Sequence, residues 1–397
     1  MQKILLINTY YYPNGKGGAE KSTQILAESL AKKGFKVSVI TSSGRNYSVK
    51  INDVDIFYVN MGNLYWLLNA KSHTIIERIL WHIIDSYGLN NTKEFEKILK
   101  IINPDIVLTN NLVQFSCKIW KILSRQNILI LHILRDHYLM NLSTIFKSNQ
   151  NFFNKYITGK LLSIRKKKLS CYVNGVVGIS NYILKKHLEN NYFKNTIVKT
   201  VIPNAIQTNG IDIKLKFKNY SKKEPVFGYI GALNSNKGVD LIVNTFKDKV
   251  KNKLLLFGSG NKLYIEKLLK IISKYPNILY LGYQQPYNIF KKIDCLIVPS
   301  LINEAFGRVI IEAYSYGIPV IGSKRGGIPE LIDDKITGFL FEPNEKNSLL
   351  TIIKVNSLDK EINLDIKSKA KNKTELYSSE RITNQYINIF SVLKSNN

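Results

Sequence analysis

The sequence predicts an α/β protein of two domains, each built on a parallel sheet, and three features predict it. The first is length: 397 residues suffice for two or three domains at the usual size of about 150 residues each, and two is the expectation here. The second is a series of short, continuous apolar runs, among them Lys3–Asn8, Ile128–Leu134, Leu254–Phe257 and Cys295–Val298. Such runs suit strands buried on both faces of a sheet. The third is order: amphipathic stretches of helical length separate the runs, so that strand, helix and strand recur along the chain.

Composition narrows the class. Cys117, Cys171 and Cys295 are too scattered for a disulfide framework or a zinc site, which implies a reducing cytoplasm. The apolar run after Met1-Gln2-Lys3 ends at Asn8, too short for a signal peptide, and no run approaches the roughly 20 apolar residues of a spanning helix. A soluble or peripheral protein is expected. The net charge of +28 suggests phosphate-bearing partners. The lysines are spread through a chain rich in Lys, Asn and Ile, with no nucleic-acid motif, so an anionic membrane or a phosphorylated substrate is expected and no nucleic acid.

Lys3–Asn8 reads as the first strand, Thr9–Gly18 as a Tyr- and Gly-rich loop, Glu20–Lys33 as an amphipathic helix stopped by Gly34, and Val37–Thr41 as the second strand. The loop Gly15-Lys16-Gly17-Gly18-Ala19-Glu20 lacks the last glycine of a dinucleotide fingerprint, which argues against nicotinamide binding. Asp53-Val54-Asp55 has the look of a metal-holding carboxylate pair, but it precedes its strand, Ile56–Val59, instead of following it, so no metal is expected. Tyr65–Tyr87 reads as largely helical, with Trp66, Ile76, Ile79, Leu80 and Ile83 available for packing, and Pro104 introduces the strand Asp105–Thr109. Ile128–Leu134 delivers Arg135-Asp136-His137-Tyr138 to a strand end, where open α/β sheets place ligands. His137 there reads as a base or as a brace for its loop. From Asn151 to Lys168, Phe153, Ile157, Leu161 and Ile164 fall at helical spacing among Lys155, Lys160, Arg165, Lys166, Lys167 and Lys168. A helix lying on anionic membrane and a core helix with a solvated basic face both fit. Val173–Ile179 reads as the last strand of this domain, with Ser180 capping the helix Tyr182–Leu188.

The polar, lysine-rich Gln207–Pro225 reads as a linker, and Val226–Ile230 opens the second sheet. Gly231–Gly238, with Lys237, leads into the helix Val239–Phe246; Leu254–Phe257 is followed by Gly258-Ser259-Gly260, and Leu279–Leu281 by Gly282. The densest stretch is Ile293–Phe341. There Cys295–Val298 is a strand, Glu304 lies in the loop after it, and Phe306-Gly307 leads into a helix, Arg308–Tyr316, that carries Glu312 and stops at Gly317. A helix start presents unpaired N–H groups and the positive end of its dipole, so a phosphate fits there. The strand Val320–Gly322 then delivers Lys324-Arg325-Gly326-Gly327, with Pro329 at the first turn of another helix.

Glu304 and Glu312 with seven residues between them, Phe306-Gly307 inside that spacing and Gly-Gly-x-Pro-Glu after it resemble the donor-binding signature of the retaining glycosyltransferase family 4. That resemblance implies a GT-B fold: two Rossmann-like domains facing across a cleft, with a C-terminal helix crossing back to the first domain. It implies an acceptor-side domain over 1–206, a nucleotide-sugar donor domain over 207–376 and the returning helix over 377–397. It assigns Glu304 to the donor sugar and Glu312 to the ribose, and Gly231, Lys237, Gly258, Phe306, Gly307, Arg308, Gly326 and Gly327 to the nucleotide sugar. Gly17, Gly18, Arg135 and His137 fall on the acceptor side, and Glu304, Asp136 and Lys237 in the catalytic group. The sequence departs from the family at Ala232, where an Arg is usual, at Arg135, where a His is usual, and at Ala205, in place of the Gly of a Pro-Asn-Gly boundary segment. Lys324 or Arg325 is the expected substitute for the missing cation.

The implied function is retaining, metal-independent sugar transfer without a cofactor. The sugar goes from a nucleotide-sugar donor to a saccharide or polyprenyl-linked acceptor, in cell-surface polysaccharide or lipopolysaccharide synthesis. The place is the cytoplasm, peripheral on the inner face of the membrane. A nucleotide-sugar epimerase of the same fold is the nearest rival, and a nucleic-acid-binding protein a remote one.

Overall fold

The computed structural model describes residues 1–15, 17–140, 163–207, 225–358 and 360–396. The chain divides into two compact units, one of Met1–Ala205 with Ser379–Asn397 and one of Ile206–Ser378.

Eight strands form the sheet of the first unit: β1 (Lys3–Asn8), β2 (Lys36–Ser42), β3 (Tyr47–Ile51), β4 (Val54–Val59), β5 (Ile106–Thr109), β6 (Leu129–Leu134), β7 (Gly175–Gly178) and β8 (Val198–Val201). Their order is β3-β4-β2-β1-β5-β6-β7-β8, parallel throughout except for the β3–β4 hairpin. The central strands are buried along their length, as their unbroken apolar runs require. The last helix, Ser379–Ser395, returns to this unit: Phe390 meets Phe35 edge to face at 6.3 Å, and Lys33 pairs with Glu380 at 3.1 Å.

Three sequence expectations change here. β3 was not anticipated because its side chains are mostly exposed, leaving no apolar run to read; the turn that creates it is Asn52-Asp53, both at positive φ. Asp53 is therefore a hairpin-turn residue, facing Lys50 at 3.8 Å, while Asp55 lies within β4. Val173–Ile179 is not the last strand of the unit, since the half-buried β8 pairs beyond it. The helix Ile75–Tyr87, opened by a Thr74–Glu77 capping box, buries Trp81 and Asp85 and leaves Ile76, Ile79 and Leu80 exposed instead of packed.

The basic stretch Asn151–Lys168 falls largely outside the described residues. Within its described end, Lys166 points inward and is fully buried, with its ammonium 3.5 Å from the centre of the Tyr138 ring. Burial lowers its pKa, an effect that the Asp85 carboxylate opposes.

The second unit has six parallel strands, β9 (Phe227–Ile230), β10 (Leu254–Phe257), β11 (Ile278–Tyr280), β12 (Cys295–Val298), β13 (Val320–Ser323) and β14 (Gly338–Phe341), in the order β11-β10-β9-β12-β13-β14. Phe227, Phe246, Leu254, Ile297 and Ile321 are among the residues of its core. The chain runs outward one way from β9 to β11 and the other way from β12 to β14, so the direction reverses between β9 and β12. In an open parallel sheet that reversal separates the loops at the strand ends and opens a ligand crevice.

Gly238, at the end of the loop after β9, packs against the loop after β12. Its φ is +75°, and a Cβ there would lie 1.9 Å from the carbonyl oxygen of Pro299. Gly238→Ala is expected to cost at least about 2 kcal/mol in urea unfolding, from backbone strain plus overlap with a fixed carbonyl. Gly34→Ala, at φ +88° with nothing within 4 Å of the added carbon, isolates the strain alone and should cost less; equal losses would show that the Pro299 approach is unimportant.

Candidate active site

The loops at the switch point of the second unit bring together two residues that lie far apart in sequence. The β9 loop carries Lys237 at the end of a short 3-10 turn capped by Asn234, whose side chain accepts from the Lys237 amide at 3.0 Å. The β12 loop carries Glu304. The Lys237 ammonium and the Glu304 carboxylate meet at 2.5 Å, and the Ser300 hydroxyl donates to the same Glu304 oxygen at 2.7 Å. Backbone contact fixes the two loops against each other, with the Leu301 amide donating to the Asn236 carbonyl at 2.9 Å. From β13, the Ser323 hydroxyl donates to the Ser300 carbonyl at 2.7 Å.

The glycine pair after β13 takes a position that spacing alone does not reveal. A Cβ on Gly326, at φ +57°, would lie 2.1 Å from the Glu304 carbonyl oxygen, and the Gly327 amide donates to that same oxygen at 2.7 Å. These glycines therefore hold the backbone of the Glu304 loop, and the Gly327 amide is committed to protein. The Gly231 and Gly258 amides are likewise committed, to the Phe257 and Gly282 carbonyls at 3.1 and 2.9 Å.

The helix Arg308–Ser315 begins at Gly307 without a side-chain cap. Phe306 is buried before it, 6.3 Å from the Tyr377 ring. Within its first turns Arg308 Nε pairs with Glu312 Oε1 at 2.7 Å. Arg308 and Glu312 thus form one charged unit at the helix start, which positions the carboxylate. Of the candidate replacements for the cation missing at Ala232, Arg325 is engaged by Glu342 at 3.4 Å, whereas Lys324 is exposed.

The first unit has its own switch point, between β1 and β5. There Asp136, after β6, is held from two sides: Asn111 Nδ2 donates to one carboxylate oxygen at 2.6 Å and the Tyr138 amide to the other at 2.8 Å. Asn111 is held in turn by the Thr9 hydroxyl at 2.8 Å. Glu20, in the first turn of the helix Gly18–Lys32, lies over the glycine loop so closely that a Cβ on Gly17 would meet its carboxylate at 2.3 Å. Burial raises the Glu20 pKa; Asp136 adds to the rise and Arg135 opposes it. Lys16 falls outside the described residues.

Arg135 is not presented to a ligand as its place in the sequence suggests. It is buried, with Nε donating to Asn110 Oδ1 at 3.0 Å and Nη1 to Asn204 Oδ1, so its guanidinium braces the end of β6. The His137 ring packs against Tyr182 and His187, with centroids 5.9 and 6.5 Å away, a placement that suits a brace for its loop.

Sequence reasoning missed Ser300, Glu20 and Asn111. The first two stood in stretches already singled out, a strand end and a glycine loop. Asn111 gave no signal, because its importance comes from neighbours contributed by other strands.

Two sheets of mainly parallel strands, each with polar side chains gathered at its switch point, are the architecture of the GT-B fold. A solved structure of Anabaena Alr3699/HepE in complex with UDP shares that fold with a TM-score of 0.71 at 18% identity, covering 99% of this chain and 100% of the other. The model of the family described as "Glycosyl transferases group 1" matches residues 211–373. An uncharacterized 42.6 kDa protein in the cps region of Klebsiella pneumoniae is 34% identical over 390 residues, 98% of this chain and 99% of its own. The lipopolysaccharide 1,2-N-acetylglucosaminetransferase of Salmonella typhimurium is 32% identical over 185 residues, 42% of this chain and 48% of that protein. The chain belongs to the glycosyl transferases group 1 family.

The Lys237–Glu304 pair is partly shielded, with side-chain exposures of 31% and 21%. A double-mutant cycle on Lys237→Met and Glu304→Gln, read by urea unfolding, should return a coupling of about 1 kcal/mol that shrinks as salt is added. A coupling of zero at low salt would mean that the two groups do not act together.

Proposed function

We propose that this glycosyltransferase moves a sugar, with retention of configuration and without a metal, from a nucleotide-sugar donor held by the second unit to a saccharide or polyprenyl-linked acceptor. The process served is cell-surface polysaccharide or lipopolysaccharide synthesis, on the inner face of the cytoplasmic membrane. The observation that carries this reading is the Lys237–Glu304–Ser300 constellation at the switch point, with a glycine-started helix beside it.

The work of such a site is positioning and charge stabilisation. As the bond from the sugar C1 to the diphosphate oxygen breaks, negative charge collects on the leaving phosphate, where the Lys237 ammonium and the positive end of the dipole of the helix Arg308–Ser315 stabilise it. Glu304 faces the sugar and offsets positive charge developing at C1. The acceptor hydroxyl attacks the face that the phosphate leaves, and its proton passes to the departing phosphate oxygen, so no side-chain nucleophile is required. Glu312, oriented by Arg308, accepts from the ribose hydroxyls. In the first unit, Asp136 and Glu20 orient the acceptor; the raised pKa of Glu20 makes its carboxyl a hydrogen-bond donor over a wider range of pH.

A panel of nucleotide sugars, beginning with UDP-linked ones, screened by thermal shift identifies the donor. Release of nucleoside diphosphate that depends on added acceptor then distinguishes transfer from epimerisation. Glu304→Gln is expected to lower kcat by about a hundredfold or more, since the lost interaction strengthens in the transition state. Glu312→Gln should mainly weaken binding of the free nucleoside diphosphate. Near-normal turnover in the first variant, or unchanged nucleotide affinity in the second, would reverse these roles. Chelator should leave transfer intact; activity that vanishes on metal removal and returns with magnesium or manganese would refute metal independence.

A further inference from the structure

The helix Ile75–Tyr87 of the first unit is built inside out. Its inward side carries Trp81, Asp85 and Ser86, all buried, with the Asp85 carboxylate accepting from the Tyr138 hydroxyl at 2.7 Å and the Gln114 amide at 2.7 Å. Its outward side carries Ile76, Ile79, Leu80, Ile83 and Tyr87, spaced to fall on one stripe. Ile76 is 71% exposed, Leu80 47%, and Ile79 and Tyr87 37% each. Scattered exposed apolar residues need no explanation, but a helical stripe of them, on a helix that turns Asp85 and Ser86 into the protein, marks a surface that is covered in use.

The charge beside the stripe identifies what covers it. Arg165, exposed on the neighbouring helix over 163–169, lies with its guanidinium carbon 5.6 Å from the centre of the Tyr87 ring, which places a cation at the end of the apolar stripe. Ile164 and Lys168 of that helix are exposed as well, and Lys166, which faces inward, anchors it to Tyr138. The one carboxylate at the other end, Glu77, is turned back onto the amide and hydroxyl of Thr74 at 2.7 and 2.8 Å. An apolar stripe with the Arg165 cation at one end, on a chain of net charge +28, fits the boundary between phosphates and acyl chains.

We propose that the helix Ile75–Tyr87 lies in the headgroup layer of an anionic phospholipid membrane. Ile76, Ile79, Leu80 and Tyr87 enter the acyl boundary, and Arg165 and Lys168 contact lipid phosphates. The inference rests on the inner-face location given under the proposed function, and it replaces a purely basic attachment with a mixed one, in which salt removes only part of the binding.

Co-sedimentation of the full chain with phosphatidylcholine vesicles, with and without phosphatidylglycerol, tests this without any sugar substrate, so the result is independent of whether the transfer reaction has been identified correctly. The parent should bind the anionic vesicles and keep a salt-resistant fraction. Ile76→Ser/Ile79→Ser/Leu80→Ser should lose about tenfold or more in partitioning at every salt concentration, and Arg165→Ser/Lys168→Ser a similar factor at low salt only. All these side chains are exposed, so circular dichroism should be unchanged in both variants. Quenching of an Ile76→Trp variant by brominated lipid should report insertion. Parent protein that stays in solution, stripe variants that sediment like the parent, or light scattering that shows a dimer dispersed by the stripe substitutions would each overturn the proposal, the last in favour of a second copy of the chain.

Discussion

Close backbone packing around Glu304 is the constraint on which the donor-side site depends. The loop after β12 is touched by Gly326 and Gly327 from the loop after β13 and by Asn236 from the loop after β9, at distances that leave no space for a side chain at Gly326. This contact, and not the attraction between charges, sets where the Glu304 carboxylate stands. A partly exposed ion pair contributes about 1 kcal/mol or less, too little to order three loops. The pair with Lys237 is thus a consequence of the fold, and it presets the position of a cation beside an uncapped helix start.

Glu312 is placed by local means instead. One helical turn separates it from Arg308, so the pairing at 2.7 Å needs no help from the rest of the unit. Glu304 depends on long-range packing and Glu312 on helix geometry alone. Substitutions in the glycine loops should therefore disturb the first and spare the second. In the first unit, Asp136 resembles Glu304 in being held by a neighbour from another strand, Asn111 after β5, which is itself held by Thr9 after β1.

Membership of the group 1 family and kinship with a cps-region protein along nearly the whole chain agree with the glycosyltransferase class that the resemblance implied. Two of the three departures from that pattern acquire physical content here. Arg135 is accommodated by Asn110 and Asn204, which take up its guanidinium inside the unit. At Ala232 the backbone carbonyl accepts the Tyr229 hydroxyl at 2.7 Å, and nearby Lys237 carries the positive charge of the loop.

Most of the buried strands of both sheets and the limits of several helices are legible in the sequence, because a strand buried on both faces must be continuously apolar and a helix must be capped and stopped within its own few residues. Lys3–Asn8, Leu254–Phe257 and Cys295–Val298 are read from such runs, and the Ser180 cap from one residue. The sequence also singled out Lys237, Glu304 and Asp136 one at a time. Tertiary structure alone decided the edge strands β3 and β8, whose exposed or half-buried residues carry no apolar run. It alone decided that Arg135 and Lys166 point inward, that Gly327 serves the Glu304 backbone, and that Ile76 and Leu80 point outward. The reason is the same in each case: burial and partnership depend on what other segments of the chain bring to a position, and sequence spacing records only what a segment brings to itself.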